Sequence, residues 1–373
     1  MAINHVKTLK TEKALFIKHY STNAKFVLND YEILKKFFSA EFYDAKIKNN
    51  LISIFEFLRQ FFFLLFNIRK FGLIYIWFAD YHSFLPVFFA KLFGRKSVIA
   101  VGGYDATYIP EIDMGLFTKT SLKKRFRCFC AGYSLKNCSL ILPVDKSLIE
   151  NTNKYIYSDL SDKPVLKDGI KNMIPGIKTS FKTLPLGYDP DLFKKNPEIK
   201  KENAVVSAGY IMSENEFRRK GFDMLFESAK ILSDIKFIFI GLNDFYFEKL
   251  KSSGLRNIEL YKQVSYDELI KLYSRAKVYS QLSLFEGMPS AVCEAMLCEC
   301  IPVGSDVNGI PDIIGSSGFI VKEKNIDLVA EAFKNAIMMD ESKGVNCRQR
   351  IIEQYPLQKR ESELTEILKG LQN

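Results

Sequence analysis

The sequence predicts an α/β protein made of two parallel-sheet units in series. Three observations carry that prediction. Apolar runs of strand length alternate with helix-length amphipathic segments, the pattern of a parallel sheet covered on both faces. The alternation breaks once, in a polar stretch rich in Pro and Lys at 181–203, and then restarts. The 373 residues also exceed one ordinary core, which favours two domains of about 150–200 residues each.

In the first half, ALFIKHY (14–20), EFYDAKI (41–47), LIYIWF (73–78), KSVIAVG (96–102) and SLILPV (139–144) read as strands. They are almost continuously apolar, as strands buried on both faces are. Helices are predicted over 29–39, 50–69, 83–93, 118–137 and 145–155. Residues 156–181 are polar and broken by Pro and Gly, and read as a long loop. The boundary falls near 190, giving a first domain over 1–190 and a second over 191–350. In the second, strands are predicted at 204–210, 236–241, 258–264, 278–283, 300–305 and 318–321. Helices are predicted at 220–233, 244–253, 266–276, 289–298, 309–314 and 326–340, with a mostly helical tail over 345–371.

Composition narrows the function classes. Hydrophobic residues make up 47% and charged ones 26%, as in soluble globular proteins. Charge is unevenly spread. Residues 1–190 carry 28 Lys/Arg against 16 Asp/Glu, whereas 191–373 carry 25 against 27. A basic first half points to an anionic partner: a membrane surface, a nucleic acid or a phosphorylated acceptor. No RRM, KH or helix-turn-helix pattern appears, so nucleic acid is not the expected partner. The seven Cys have neither the even count of a disulfide framework nor zinc-ligand spacing, and the three His are scattered. A reducing compartment and no metal are expected.

LISIFEFLRQFFFLLF (51–66) is the most apolar stretch, but at 16 residues with Glu56 and Arg59 inside it is too short for the roughly 20 apolar residues of a membrane span. It reads as a helix lying flat on a membrane or as an ordinary buried one. The opening MAINHVKTLKTEK has no apolar signal core, so the chain is expected to be cytoplasmic.

Two stretches carry chemistry. In FEGMPSAVCEAMLCE (285–299) a strand is followed by a turn, and Pro289 suits a first helical turn. The amides near Ser290 could then face an anion. Glu286 falls on the loop and Glu294 inside the helix, both within reach of a polar ligand. Carboxylates suit sugar hydroxyls because two acceptor oxygens match neighbouring O–H donors. In GYIMSENEFRRKGFDML (209–225) a strand end is followed by Arg218, Arg219, Lys220 and Gly221 at a predicted helix start. Cations beside helix amides form a phosphate or diphosphate clamp.

Taken in order, the basic-Lys-Gly element, then E-G-x-P-x₄-E-A-M and a later Gly-Ile-Pro, resemble the retaining GT-B-fold glycosyltransferases of family 4 (glycosyl transferases group 1). LPLGYDPDLF (184–193) is similar to that family's Asn-Gly-Val-Asp-x-x-x-Phe linker. The likeness runs over roughly 70–340, most strongly over 200–315. It implies two Rossmann-like domains facing across a cleft, an acceptor-binding first and a donor-binding second, with a C-terminal helix (351–373) crossing back to the first.

The resemblance also implies roles. Glu286 would hold the donor sugar's hydroxyls beside the backbone of Gly287 and Met288. Ser290 and Ala291 would meet the diphosphate, and Glu294 the ribose. Lys220, with Arg219, would neutralise the departing diphosphate, an electrostatic form of catalysis. The donor would be a nucleotide-diphosphate sugar and the acceptor a glycan or lipid-linked glycan of a cell-surface polysaccharide. No cofactor and no metal are implied. Asp189-Pro-Asp191 mimics the D-x-D of metal-dependent transferases of another fold, but the linker motif already accounts for it.

The first domain departs from the family. HYSTNAKF (19–26) stands where a Gly-rich loop is usual. Gly102 or Gly103 stands where the family often has His, with Asp105 retained and grouped with the catalytic residues. Tyr210 stands where the family has Arg on the donor side. His82, after the third strand, is a candidate for the acceptor side. These departures admit a catalytically degenerate nucleotide-sugar-binding or scaffold protein; a sugar-nucleotide epimerase of the same fold is the rival among enzymes, although no matching carboxylate and His set is seen in the sequence. The basic run LKKRFRCF (122–129), with 51–66, admits a peripheral contact of the first domain with the inner face of an anionic membrane.

Overall fold

The apolar runs form strands because both of their faces are covered. Leu15, Phe16, Ile17, Ile74, Tyr75 and Ile76 are fully buried although neighbours point to opposite sides of the sheet. The computed structural model describes residues 12–47, 52–158 and 165–372. The opening residues 1–11, the first residues of the predicted 50–69 helix and positions 159–164 of the predicted loop lie outside that range. Among the described residues two units pack separately. One holds the residues up to Asn151, Asp168–Gly187 and the chain from Gln358; the other holds the described part of Thr152–Lys167 and all of Tyr188–Leu357.

The first unit runs β1 (Lys13–His19), α1 (Lys25–Phe37), β2 (Ser39–Ala45), α2 (Ile52–Asn67), β3 (Leu73–Trp77), α3 (Tyr81–Leu92), β4 (Lys96–Val101), α4 (Leu122–Asn137) and β5 (Leu140–Pro143). The strands lie in the order β2-β1-β3-β4-β5, all parallel. In the second unit the order of elements is β6 (Glu202–Ile211), α5 (Glu214–Arg219), α6 (Phe222–Ile231), β7 (Lys236–Leu242), α7 (Asp244–Lys251), β8 (Ile258–Tyr261), α8 (Tyr266–Arg275) and β9 (Ala276–Gln281). It continues with α9 (Ser290–Leu297), β10 (Ile301–Ser305), α10 (Ile310–Ile314), β11 (Phe319–Val321), α11 (Ile326–Met338) and α12 (Ser342–Gln354). Its sheet is β8-β7-β6-β9-β10-β11, again all parallel. Both sheets reverse their strand order once, at β1/β3 and at β6/β9. In open α/β sheets ligands bind beyond the carboxyl ends of the strands at such a reversal.

The last helix, α13 (Leu357–Gln372), packs with the first unit from Gln358 onward. Arg360 fixes it there. Its guanidinium donates to both oxygens of Asp30 at 2.7 Å and to the carbonyls of Leu184 and Pro185. Asp30 also accepts from Tyr75 Oη (2.6 Å) and Trp77 Nε1 (2.9 Å), so the buried pair is saturated with hydrogen bonds.

Three expectations are corrected. The helix predicted over 145–155 does not form. Asp145 accepts the Ser147 amide at 2.8 Å and closes a single 3-10 turn, after which Asn151–Asn153 is extended. An Asn-Thr-Asn run is poor helix material, because short polar side chains compete for the backbone. The predicted 156–181 loop contains a strand, Leu166–Asp168, and a helical turn, Ile170–Met173. The helix predicted over 220–233 forms as α6, but a short helix that was not predicted, α5, precedes it. Gly221, at φ +71°, breaks the chain between α5 and α6, so Arg218 and Arg219 end one helix instead of starting the next.

Candidate active site

In the second unit, the loops after β6 and β9 leave from neighbouring strands. After β6, Ser213 caps α5 by accepting the Glu216 amide at 3.3 Å, and Glu216 accepts the Met212 amide at 2.8 Å. This reciprocal cap sets where the helix starts. Six residues later Lys220 closes it and Gly221 turns away. Only glycine fits here: a Cβ at Gly221 would lie 2.2 Å from the carbonyl oxygen of Leu282. The Leu284 amide then donates to the Arg219 carbonyl at 2.8 Å, stitching the end of α5 to the segment after β9.

That stitching brings the two sequence motifs together. Lys220 Nζ lies 2.5 Å from Glu286 Oε1, and Arg219 reaches the same oxygen at 3.5 Å. Gln281 Nε2 (3.2 Å) and Ser283 Oγ (3.0 Å) donate to it as well. Among the described residues no donor reaches Oε2. The loop is braced from β10. Ser305 Oγ donates to the Ser283 carbonyl (2.6 Å), the Asn308 side chain accepts the Glu286 amide (3.2 Å), and the Gly309 amide donates to the Gly287 carbonyl (3.2 Å).

Burial by itself would raise the Glu286 carboxyl, but the Lys220 and Arg219 charges outweigh it and hold it below the usual carboxylate range. Burial pulls Lys220 down against the pull of Glu286, and the net effect is a lowered ammonium. The result is a half-hidden pair of cations and one carboxylate with an open oxygen. It can receive a diphosphate and a hydroxyl together.

The remaining donor-side candidates surround this cluster. Pro289 is the N-cap of α9 and not part of its first turn, a correction of one position. Ser290 Oγ accepts from Tyr188 Oη at 3.3 Å. Gly287 and Met288 are buried, while Ser290, Ala291 and Glu294 are half-buried. Glu294 stands near Tyr188 and Tyr266, whose hydroxyls burial raises first and its charge raises further. Tyr210 is exposed and lines a cavity of about 420 Å³ with Gly209, Gly241, Asn243, Lys262 and Val264, at the ends of β6, β7 and β8. The sequence reading missed Gln281, Ser283, Asn308 and Tyr188. The first two were visible as polar residues closing an apolar strand, and Asn308 as an Asn-Gly turn. Asp189 accepts the Asp191 amide at 3.0 Å in a tight turn. Among the described residues, no three His, Cys, Asp or Glu side chains gather as a metal site would need.

The other candidates belong to the first unit, at its own β1/β3 reversal. A cavity of about 560 Å³ is lined by His19, Phe78, His82, Tyr104, Asp105 and Arg127 among others. Asp105 is buried and accepts amides of Gly102 (3.1 Å), Gly103 (3.0 Å) and Ala79 (3.1 Å). Burial outweighs those amides and raises its carboxyl to about 6. Phe78 is held in the left-handed region at φ +66°, and a Cβ on Gly102 would come 2.3 Å from its ring. Strain of this kind gathers at functional sites. His82 is buried, which lowers it to about 4. Its neutral Nε2–H donates to the Trp77 carbonyl at 2.9 Å, leaving Nδ1 as a buried acceptor without a partner. Asp80 caps α3 and is clamped by Arg127, which donates to Tyr104 Oη at 3.0 Å. Asp80 and Tyr104 carried no sequence signal beyond a cap position, and Arg127 only its place in the basic run 122–129.

Both the two-sheet architecture and the strand reversals define a GT-B fold. Sucrose-phosphate synthase from Thermosynechococcus elongatus is similar to this chain with a TM-score of 0.69 at 12% identity, over 96% of this chain and 99% of that one. HepE of Anabaena, solved with UDP and glucose, is similar with a TM-score of 0.68 at 12% identity, over 96% and 100%. TarM is similar with a TM-score of 0.59 at 16% identity, over 81% of this chain but only 54% of its own. Residues 190–355 match the family described as glycosyl transferases group 1. No curated protein matches the chain in sequence.

Proposed function

We propose that the protein is a retaining, metal-independent glycosyltransferase. It moves a sugar from a nucleotide-diphosphate sugar to a glycan or lipid-linked acceptor, in the assembly of a cell-surface polysaccharide. The observation that carries the reading is the Lys220–Glu286–Arg219 cluster at the β6/β9 reversal, within the stretch that matches glycosyl transferases group 1.

The chain's own residues account for the steps. Lys220 and Arg219 neutralise the charge that builds on the diphosphate as the glycosidic bond breaks. Glu286, ionised and with Oε2 open, accepts a hydroxyl of the donor sugar and fixes its orientation. The start of α9, near Ser290 and Ala291, faces the diphosphate, and Glu294 takes the ribose. Tyr210 offers an aromatic face at the cavity beyond β6, where the base would lie. In the first unit, Asp105 holds the Gly102–Gly103 turn under Phe78, and His82 lies in the wall of the cavity that would take the acceptor. In this reading the acceptor oxygen bonds to the sugar on the face from which the diphosphate departs and passes its proton to an oxygen of the leaving phosphate, so configuration is kept.

The test is a thermal-shift panel of nucleotide-diphosphate sugars, followed by NMR of the product made by the best of them, with and without EDTA. Stabilisation by at least one donor, an unchanged rate in EDTA and a product with the donor's anomeric configuration are expected. A panel without any shift would sink the donor site. Binding without transfer to any glycan would favour the binding or scaffold alternative, and an inverted product would overturn retention.

A further inference from the structure

We propose that one face of the first unit, made by α2, α3 and α4, docks on an anionic phospholipid bilayer. Each of these helices turns apolar side chains outward at helical spacing. On α2 they are Phe55, Leu58, Phe62 and Phe66; on α3, Phe88 and Leu92; on α4, Leu122, Phe126 and Phe129. The exposure is large: 72% for Phe55, 74% for Phe66 and 83% for Leu122.

The three helices that carry these stripes pack side by side through aromatic rings beneath and between them. The Phe57 ring is 6.3 Å from Phe126, Phe61 is 5.3 Å from Phe89, and Phe84 is 5.8 Å from Phe129. Aromatic contacts therefore run from α2 through α3 to α4. Scattered exposed apolar residues are ordinary, but a contiguous apolar face marks an interaction site.

Charge selects the occupant. Residues 52–95 and 119–139 hold eleven Lys/Arg and only two acidic residues, Glu56 and Asp80. Both acids are already satisfied: Arg59 Nε donates to Glu56 and Arg127 Nε to Asp80, each at 2.8 Å. Beside Phe129, Lys119, Arg125 and Lys136 line a cleft of about 490 Å³, in reach of a lipid headgroup phosphate. Apolar side chains framed by cations are what an interfacial helix presents to acidic lipid. Among the described residues no helix is long and apolar enough to cross a membrane, so the contact is superficial.

The same face borders the first unit's cavity. Phe126 lies 5.8 Å from Tyr81, which lines it. Docking would set that cavity's mouth at the headgroup layer, where a lipid-linked acceptor is held. This last step rests on the proposed function, whereas docking itself rests on the surface alone.

The experiment is co-sedimentation of the full chain with vesicles of phosphatidylglycerol and phosphatidylcholine, against phosphatidylcholine alone. Partition onto the anionic vesicles is expected, falling at least tenfold in Phe55→Ser/Phe66→Ser and, separately, in Lys119→Glu/Lys136→Glu. Two variants of different chemistry protect the result if one folds poorly. Equal partition of wild type and both folded variants, or no partition of wild type onto anionic vesicles, would overturn the proposal. So would self-association of the wild type that is lost in Phe55→Ser/Phe66→Ser without any vesicle binding, since a second copy would then cover the face. Nucleotide-sugar thermal shifts are measured in parallel. Their failure would count against the donor site and leave the docking result standing.

Discussion

Lys220 Nζ sits 2.5 Å from Glu286 Oε1, although 66 residues separate the two in sequence. The pair joins the loop after β6 to the loop after β9, and each partner sets the ionisation of the other. Lys220→Ala is expected to lower kcat by about 10²–10³, the typical loss for one donor on developing negative charge. Glu286 loses its main counter-charge in that variant, and burial then raises its carboxyl. The acid limb of the kcat/KM profile should therefore move to higher pH. A limb that stays in place would show that Lys220 does not control Glu286.

Gly221 is the hinge of this pairing. Gly221→Ala places a Cβ 2.2 Å from the Leu282 carbonyl at a positive φ. The α5 end must then move away from the β9 loop. Activity should fall by at least about tenfold while Trp77 fluorescence, which reports on the first unit, stays unchanged; even a misplacement of about 1 Å can cost 10²-fold. Steady-state kinetics on the folded variant measure it.

His82 and Asp105 give the first unit opposing pH dependences. His82 is lowered to about 4, so as pH falls from about 6.5 the unfolded chain takes up a proton that the folded one refuses, and stability is lost. Asp105 is raised to about 6, so the folded state holds its proton first, and stability is gained as pH falls from 6 towards 4. The two slopes largely cancel. In Asp105→Asn only the His82 slope remains. The wild type should gain up to about 3 kcal/mol relative to this variant between pH 7 and pH 4. Urea unfolding followed by Trp77 fluorescence at several pH values would detect it, and a difference independent of pH would refute it.

Arg360 and Asp30 form the buried tie that holds α13 on the first unit. Arg360→Met leaves Asp30 charged and uncompensated, at a cost of about 3–5 kcal/mol. Asp30 accepts from Trp77 Nε1, so the loss should appear in the emission of the chain's single Trp as well as in its unfolding midpoint. A variant as stable as wild type would show that other contacts hold the helix.

The fold class was legible because its signal is local. Strands buried on both faces must be apolar along their length, and helices between them must be amphipathic, so the alternation appears in the chain itself. The Lys220–Gly221 and Glu286–Glu294 elements were legible for a related reason, since each lies within one short stretch of chain. Tertiary structure alone decided the rest. It kept Gly221 at the start of α6 but also made it the break after α5, where a positive φ and the close approach of Leu282 both require glycine. Through contacts distant in sequence, it recruited Gln281 and Ser283 to Glu286, buried Asp105 on backbone amides and joined Arg360 to Asp30. It also left the aromatic stripes of α2 and α4 on the outside. Periodicity shows that a helix has an apolar face, but only packing decides whether the protein itself covers it.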